Sequence, residues 1–472
     1  MNITTDICII GAGSGGLSIA AGASQMGAKV VLIEGGEMGG DCLNAGCVPS
    51  KALIAAAAHA HAMTTGAPFG ITPTTPEIDF AAVKDHVART IATIAPVDSQ
   101  ERFEGFGVHV IRAYARFTGA NTVQAGDTTI TARRFVVATG SHPFVPPIPG
   151  VNDTPYFTNE TIFALRTKPS HLIIIGGGPI GMEMAQAHRR LGCRVTVIEG
   201  QKALGRDDPD MAAIVLARLR TEGVDILEGT AVASLSGTMG NVTVTLSDGR
   251  AIQASHILMA VGRKVALDRL DLPAAGVAFT PKGVTIGPSL RSTTNRRVYA
   301  VGDAAGGLQF THVAGYHAGV VIRQILFGLP SRATTHHIPW VTYTDPELAQ
   351  VGLTEAQARA AHGAALTVIR QDFHHNDRAQ AMGEAEGLLK LMVVKGRPVG
   401  ASIAGPHAGE LIGLWALAIA TRLKMGQIAG MVAPYPTLSE INKRAAGAYF
   451  TPSLFENPRV KQIVRAVQRW LP

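Results

Sequence analysis

One pattern constrains this chain more than any other. A Gly-rich turn between an apolar run and a helix, closed by an acid, occurs twice in the same register. Residues 6–10 (Asp-Ile-Cys-Ile-Ile) predict a short buried strand, an Ala-rich stretch to about Met26 a helix, and residues 29–34 a second strand. Residues 171–175, a helix through Arg190 and residues 194–199 repeat that βαβ order. Glu34 lies 23 residues after Gly11, and Glu199 lies 23 residues after Gly176. Matching spacing at two places is far less accidental than one glycine motif.

The turns are Gly11-Ala12-Gly13-Ser14-Gly15-Gly16 and Gly176-Gly177-Gly178-Pro179-Ile180-Gly181. Each fits G-x-G-x-x-G. The first Gly allows the tight turn, the second lets backbone approach a pyrophosphate, and the third lets helix pack on strand. The helix N-terminus then holds phosphate charge. Glu34 and Glu199 are placed to accept hydrogen bonds from ribose hydroxyls. A carboxylate at 199 repels a 2′-phosphate and favours NADH, although Lys202 and Arg206 follow closely.

Bulk properties narrow the rest. At 472 residues the chain is long enough for about three domains. Its 46% hydrophobic and 16% charged residues support a sizeable core. The +7 charge reads as a solvating surface or a field attracting anionic nucleotides. No basic cluster is interleaved with aromatics, so no nucleic-acid partner is expected. No apolar run reaches the ~20 residues of a membrane helix, residues 411–420 being half that, and no membrane partner is expected. The N-terminus has no basic leader, which predicts a cytoplasmic protein. The tail from Pro458 carries Val460, Ile463, Val464 and Val467 at helical spacing, with Lys461, Arg465 and Arg469 four apart. It reads as a surface helix with a solvated basic face.

Two of the four cysteines stand close together in Gly39-Gly40-Asp41-Cys42-Leu43-Asn44-Ala45-Gly46-Cys47-Val48-Pro49-Ser50-Lys51. Two Cys with four residues between them can bridge if the segment coils. Pro49 and the Ala-rich run after Lys51 place them at a helix start, where positive partial charge favours a thiolate. The bland alternatives are two small hydrophobes or half a zinc site, and no second Cys or His pair completes such a site. The His336-His337 and His374-His375 pairs lack partners at metal spacing, so no metal is expected. Cys8 and Cys193 lie in strand runs and read as inert core thiols.

The stretch from Cys42 to Lys51 resembles the redox-active segment of the pyridine nucleotide-disulfide oxidoreductases, which include dihydrolipoamide dehydrogenase, glutathione reductase and mercuric reductase. The resemblance runs the length of the chain. Ala138-Thr139-Gly140 resembles the turn joining the FAD and NAD domains. Val301-Gly302-Asp303, at the end of a strand predicted from Arg297, resembles the second FAD motif, whose Asp meets the ribityl chain. Thr344-Asp345-Pro346-Glu347 and Val351-Gly352-Leu353-Thr354-Glu355 resemble the opening of the interface domain.

This resemblance implies an α/β fold with two Rossmann-like, glutathione reductase-like domains and an α+β C-terminal dimerisation domain. The implied order is an FAD domain at 1–145, an NAD(P) domain at 146–268, the rest of the FAD domain at 269–338 and an interface domain at 339–472. It implies FAD and NAD(P)H as cofactors, a homodimer with a shared active site, and a disulfide substrate. Electrons would pass from NAD(P)H through the flavin to a Cys42–Cys47 disulfide. Cys47 would stay near the flavin as the charge-transfer thiolate, Cys42 would attack the substrate, and Lys51 and Glu183 would pair near flavin N5. Further cofactor contacts are implied at Gly40, Asp41, Ala115 and Gly262.

The chain departs from the family pattern in three places. Tyr435 stands where disulfide reductases carry a His from the partner subunit, while Glu440 remains five residues on. A His titrates near ~6.5 and shuttles protons at neutral pH, whereas a Tyr near ~10 can donate a hydrogen bond but is a poor base. Mercuric reductases resemble this chain at the Tyr position but end in a vicinal Cys pair, and no Cys follows Cys193 here. Pro179 replaces a Tyr that gates the nicotinamide pocket in many relatives. Disulfide reduction is thus the leading reading, ahead of a metal or quinone reductase and of a non-catalytic flavoprotein sensor or complex subunit.

Overall fold

In the computed structural model, which describes residues 1–471, strand β1 (Asn2–Ile10) leads through the first Gly turn into helix α1 (Ser14–Gln25) and strand β2 (Val30–Ile33). β1 is longer than its apolar run predicts. Its polar half gains partners from far along the chain, Asn2 to Thr5 pairing in parallel with Thr129 to Ala132. Such pairing satisfies backbone groups whatever the side chains are. The sheet runs in the order His109–Ile111, β2, β1, Thr128–Val137, Thr122–Ala125, Ala115–Gly119. Val298–Ala300 adds in parallel to the far end of Thr128–Val137. The strand predicted to run to Asp303 therefore stops at Ala300, and a 3-10 turn, Gly302–Ala305, follows with Gly302 at φ +58°.

The second repeat builds a four-stranded parallel sheet in the order Val224–Glu228, Arg194–Glu199, His171–Ile175, His256–Met259. Its central strand, His-Leu-Ile-Ile-Ile, is buried throughout, as expected of a parallel strand covered on both faces. The helix Pro179–Arg190 follows its Gly turn. Pro179 occupies the first helical position, where its missing N–H leaves nothing unsatisfied and its fixed φ suits the helix.

Contacts divide the chain into two compact units, residues 1–200 with 224–334, and residues 201–223 with the chain from Thr335 on. The latter unit is built on a five-stranded antiparallel sheet in the order Pro339–Thr342, Glu347–Gly352, Arg397–Gly405, Leu388–Val394, Leu366–Asp372. The helix Ala408–Ala420 packs on it around the buried Trp415, whose Nε1 donates to Asn442 Oδ1 at 2.8 Å. Lys390, 2% exposed, is buried in the same unit. It pairs with Asp208 Oδ1 (2.7 Å), Asp210 Oδ2 (2.7 Å) and Glu355 Oε2 (2.9 Å). Arg370 joins the cluster through Asp210 and Glu355.

Candidate active site

The two Gly turns are alike in detail. Gly11 and Gly176 sit at φ +109° and +111°, where a Cβ would lie 2.3 Å from the Ala138 carbonyl oxygen or 2.4 Å from that of Ala260. A Cβ on Gly16 would meet Gly11 O at 1.9 Å, and one on Gly181 would meet Gly176 O at 2.0 Å. Only glycine fits any of the four. Gly13 and Gly178 differ from these. Each is the N-cap of its helix, and a Cβ there would enter space with no atom within 4 Å. That is the cradle a pyrophosphate needs in front of a helix N-terminus. Ser14 and Gly15 open α1, and Gly15 packs on the other side toward Val301 and Ala314. The acids close both loops. Glu34 Oε2 accepts from Ala12 N (2.6 Å) and its Oε1 from Gly36 N (2.7 Å), while Glu199 Oε2 accepts from Gly177 N (2.7 Å).

The cysteine segment lies against the first loop, since a Cβ on Gly40 would be 2.8 Å from Gly13 Cα. Cys42 belongs to the short helix α2 (Gly40–Asn44), and Cys47 is the first residue of α3 (Cys47–Ala62), the helix start that the sequence predicts. Asn44 Nδ2 donates to Met38 O and Gly40 O (3.0 and 2.9 Å) and holds the coil. Both cysteines are thiols in this structure. They are not equivalent. A hydrogen bond from Cys42 lowers the Cys47 thiol to about 6, with help from Thr311 and the Lys51 charge against the opposing effect of burial. The same hydrogen bond, burial and the nearby Cys47 charge raise Cys42. Thr311 Oγ1 lies 3.3 Å from Cys47 Sγ. Lys51, one turn along α3, donates to Glu183 Oε2 at 2.8 Å. Glu183 projects from the helix Pro179–Arg190 and is 5% exposed, so its charge is matched by a cation it touches.

A polar network surrounds this pair. Asp41, just before Cys42, accepts from Asn159 Nδ2 at 3.0 Å and pairs with Arg263 at 3.3 Å. Arg263 donates to Ser141 Oγ and O (2.7 and 2.8 Å), and Ser141 Oγ donates to Asp303 Oδ2 at 2.5 Å. Burial raises the Asp303 carboxyl, with Ser141 and Arg263 acting against it. Gly302 N donates to His317 Nδ1 at 3.2 Å. Gly140 (φ +67°) and Gly262 (φ +127°) both face open space. Ala115 buries its methyl in the core, so only its backbone could meet a ligand. Ile180 is exposed at the start of its helix.

Tyr435 and Glu440, expected to act together, have different surroundings. Tyr435 is 70% exposed, and its hydroxyl donates to Asp377 Oδ2 at 3.1 Å, a contact that raises the phenol. Glu440 begins the helix Glu440–Ala448, and its Oε2 is buried with no hydrogen-bond partner among the described residues. The sequence gives no sign of Asp377, Thr311, Arg263 or Asn159. Each meets its site from a distant part of the chain, Thr311 from 264 residues beyond Cys47.

The residues present fit FAD and a nicotinamide nucleotide. Two open cradles stand at helix N-termini, and Thr139 Oγ1 is buried beside the first loop's neighbour Ala138 without a hydrogen-bond partner among the described residues. Comparison with known proteins agrees. The pyridine nucleotide-disulphide oxidoreductase profile matches residues 5–318, and the profile of that family's dimerisation domain matches residues 338–446. A mercuric reductase of Shigella flexneri is 35% identical over 97% of this chain and 82% of its own. A dihydrolipoyl dehydrogenase of Geobacillus stearothermophilus is 34% identical over 94% of this chain and 96% of its own. The Cu(II) complex of the HOCl-induced flavoprotein disulfide reductase RclA of Escherichia coli superposes with a TM-score of 0.84 at 28% identity, over 93% of this chain and 99% of that one. With two nucleotide cradles on one α/β scaffold, a dithiol beside the first and a dimerisation domain that supports a homodimer, the chain belongs to the pyridine nucleotide-disulphide oxidoreductases, NAD(P)H-dependent flavoenzymes that use FAD and act on sulfur groups.

Proposed function

We propose that the protein reduces a small disulfide through Cys42 and Cys47, with NADH as the preferred donor. The observation that carries this reading is the inequality of the two thiols. FAD and the nicotinamide nucleotide supply the electron pair. Cys47, held as a thiolate at neutral pH by Cys42, Thr311 and Lys51, is the inner sulfur, and Cys42, whose proton is held more tightly, is the outer nucleophile. Once deprotonated, Cys42 attacks one sulfur of the substrate, forms a mixed disulfide and releases the first thiolate. Cys47 then attacks the Cys42 sulfur, closes the Cys42–Cys47 disulfide and releases the second. Each leaving thiolate takes a proton from solvent or from a donor. Glu183 keeps Lys51 in place and limits its reach, so the cationic field falls on Cys47. Asp41, the acid nearest the pair, is occupied by Arg263 and Asn159, which moderates its unfavourable effect on a thiolate. Glu199 supports NADH because its carboxylate faces the second loop.

Tyr435 and Glu440 are proposed to serve the cysteine pair of the second subunit. Tied to Asp377 with its phenol raised, Tyr435 donates a hydrogen bond to a leaving thiolate and does not serve as a base near neutral pH. A second reading, reduction of a soft metal ion held by both sulfurs, is supported by the same tyrosine and by the relatives named mercuric reductase.

A substrate panel of lipoamide, glutathione disulfide, mercuric ion and a quinone, run with both nucleotides, tests these readings. Disulfide turnover is expected with NADH, with a loss of roughly 1,000-fold or more in Cys42→Ser and Cys47→Ser. Normal disulfide turnover by both variants would overturn the scheme, and turnover of mercuric ion alone would favour the second reading. In Cys42→Ser, the iodoacetamide midpoint of Cys47 should rise, since the hydrogen bond from Cys42 is the largest support of its charge and burial still opposes it. In the intact protein its midpoint should be near pH 6.

A further inference from the structure

The helix Pro458–Trp470 lies beyond residue 446, where the dimerisation-domain match ends. At ~100° per residue, Val460, Ile463, Val464, Val467 and Trp470 fall on one face, and Lys461, Arg465 and Arg469 on the opposite one. No residue of this helix is buried. Ile463 is 62% exposed and Trp470 85%. The core of this unit takes in Tyr449 and Phe450 but none of these residues. An amphipathic helix whose apolar stripe faces water within its own chain has a surface to cover.

Charge indicates what covers it. Residues 457–471 carry Arg459, Lys461, Arg465 and Arg469 and no acid. A second copy would have to bring acids to this basic face, and the chain as a whole carries a net charge of +7. An anionic lipid surface offers opposite charge and an apolar boundary together, with the aromatic ring of Trp470 suited to the headgroup level. We propose that this helix lies in the plane of an anionic lipid bilayer, its apolar stripe at the acyl boundary and its cations toward the headgroups. Among the described residues no helix is long and apolar enough to cross a membrane, and this one, 13 residues long, is suited to lying in the interface.

Sedimentation of the FAD-loaded full chain with vesicles tests this. Vesicles of phosphatidylcholine and phosphatidylglycerol in equal parts are expected to bind roughly tenfold more protein than phosphatidylcholine alone, an excess that high salt removes by screening. Ile463→Glu with Val467→Glu should abolish binding, and Arg465→Glu with Arg469→Glu should abolish the preference for the anionic vesicles. All four positions are exposed, so flavin content and disulfide turnover in solution should stay at the parent level. Absence of vesicle binding overturns the proposal. So does a fall in the solution mass of Ile463→Glu/Val467→Glu from dimer to monomer, because the stripe would then be covered by a second copy.

Discussion

The first and second nucleotide loops forbid the same things and carry different ones. At the third glycine of each, a Cβ would strike the carbonyl of the first at 1.9 or 2.0 Å, and at the second glycine it would meet nothing. Both acids bond the amide one residue past the first glycine. The helices that follow are another matter. Seven residues after Gly176 stands Glu183, which reaches Lys51, whereas seven after Gly11 stands Ser18, which only donates back to Ser14 O at 2.7 Å. Twelve residues on, the fully buried Ala23 has as its counterpart the fully buried His188. The backbone of a nucleotide loop is therefore set by sterics that tolerate no variation, while the helix behind it is open to new chemistry. The second helix supports the sulfur pair beside the first loop.

The sharpest way to break this comparison is at the third glycines. Gly16→Val and Gly181→Val should each cost more than ~4 kcal/mol at their own loop, because the obstacle is backbone. Gly16→Val is expected to yield protein without flavin. Gly181→Val, if it accumulates, should keep flavin and lose reduction by NADH. Identical phenotypes, scored by absorbance and anaerobic titration, would break the assignment of one ligand to each loop.

His188 comes next. Its Nδ1 contacts Met184 O at 2.8 Å, its Nε2 has no hydrogen-bond partner among the described residues, and burial lowers it to about 3. The unfolded chain takes up a proton at the ordinary 6.5, so between those values it binds more protons than the folded chain. Stability falls as pH drops through that window, by about 1.4 kcal/mol per unit at most. Unfolding of His188→Gln followed from pH 7 to 4 should show a shallower acid decline, and Ala23→Ser should leave the slope unchanged.

Glu183→Gln should follow. It removes the carboxylate charge that Lys51 touches at 2.8 Å and weakens the contact between α3 and its neighbour by ~2 kcal/mol, less than a fully buried pair because Lys51 is 38% exposed. The alkylation midpoint of Cys47 should move, and Ser18→Ala should change neither quantity. The smallest effect is expected from Glu199→Ala, a shift of ~10-fold in kcat/KM from NADH toward NADPH, about 1.4 kcal/mol. An unchanged ratio would remove the argument for NADH.

The acids of the two loops were legible in the sequence because their spacing recurs, although each bonds an amide 22 residues back, and the third glycines were legible because each would meet a carbonyl only five residues back. The start of α3 at Cys47 was legible for a similarly local reason. The length of β1 was not, because it depends on pairing with residues some 130 positions away. Thr311, Arg263 and Asn159 were hidden by the same separation, and nothing in Phe310-Thr311-His312 marks a hydroxyl that will rest on a cysteine. Tyr435 was visible as a departure from the family pattern, but its partner Asp377 was not, since a carboxylate on an exposed helix start looks like any other surface acid.

Lys390 sets a limit on how this polypeptide can be divided. Two of the three carboxylates around its ammonium, Asp208 and Asp210, come from the middle of the chain, where a short excursion leaves one unit and completes the other. A fragment beginning at Thr335 would keep the five strands and retain only Glu355 and whatever water could reach a cation meant to be dry. Ribosomal synthesis meets the same ordering problem in reverse. The excursion emerges long before its sheet exists, so the middle of the molecule has to wait for its end.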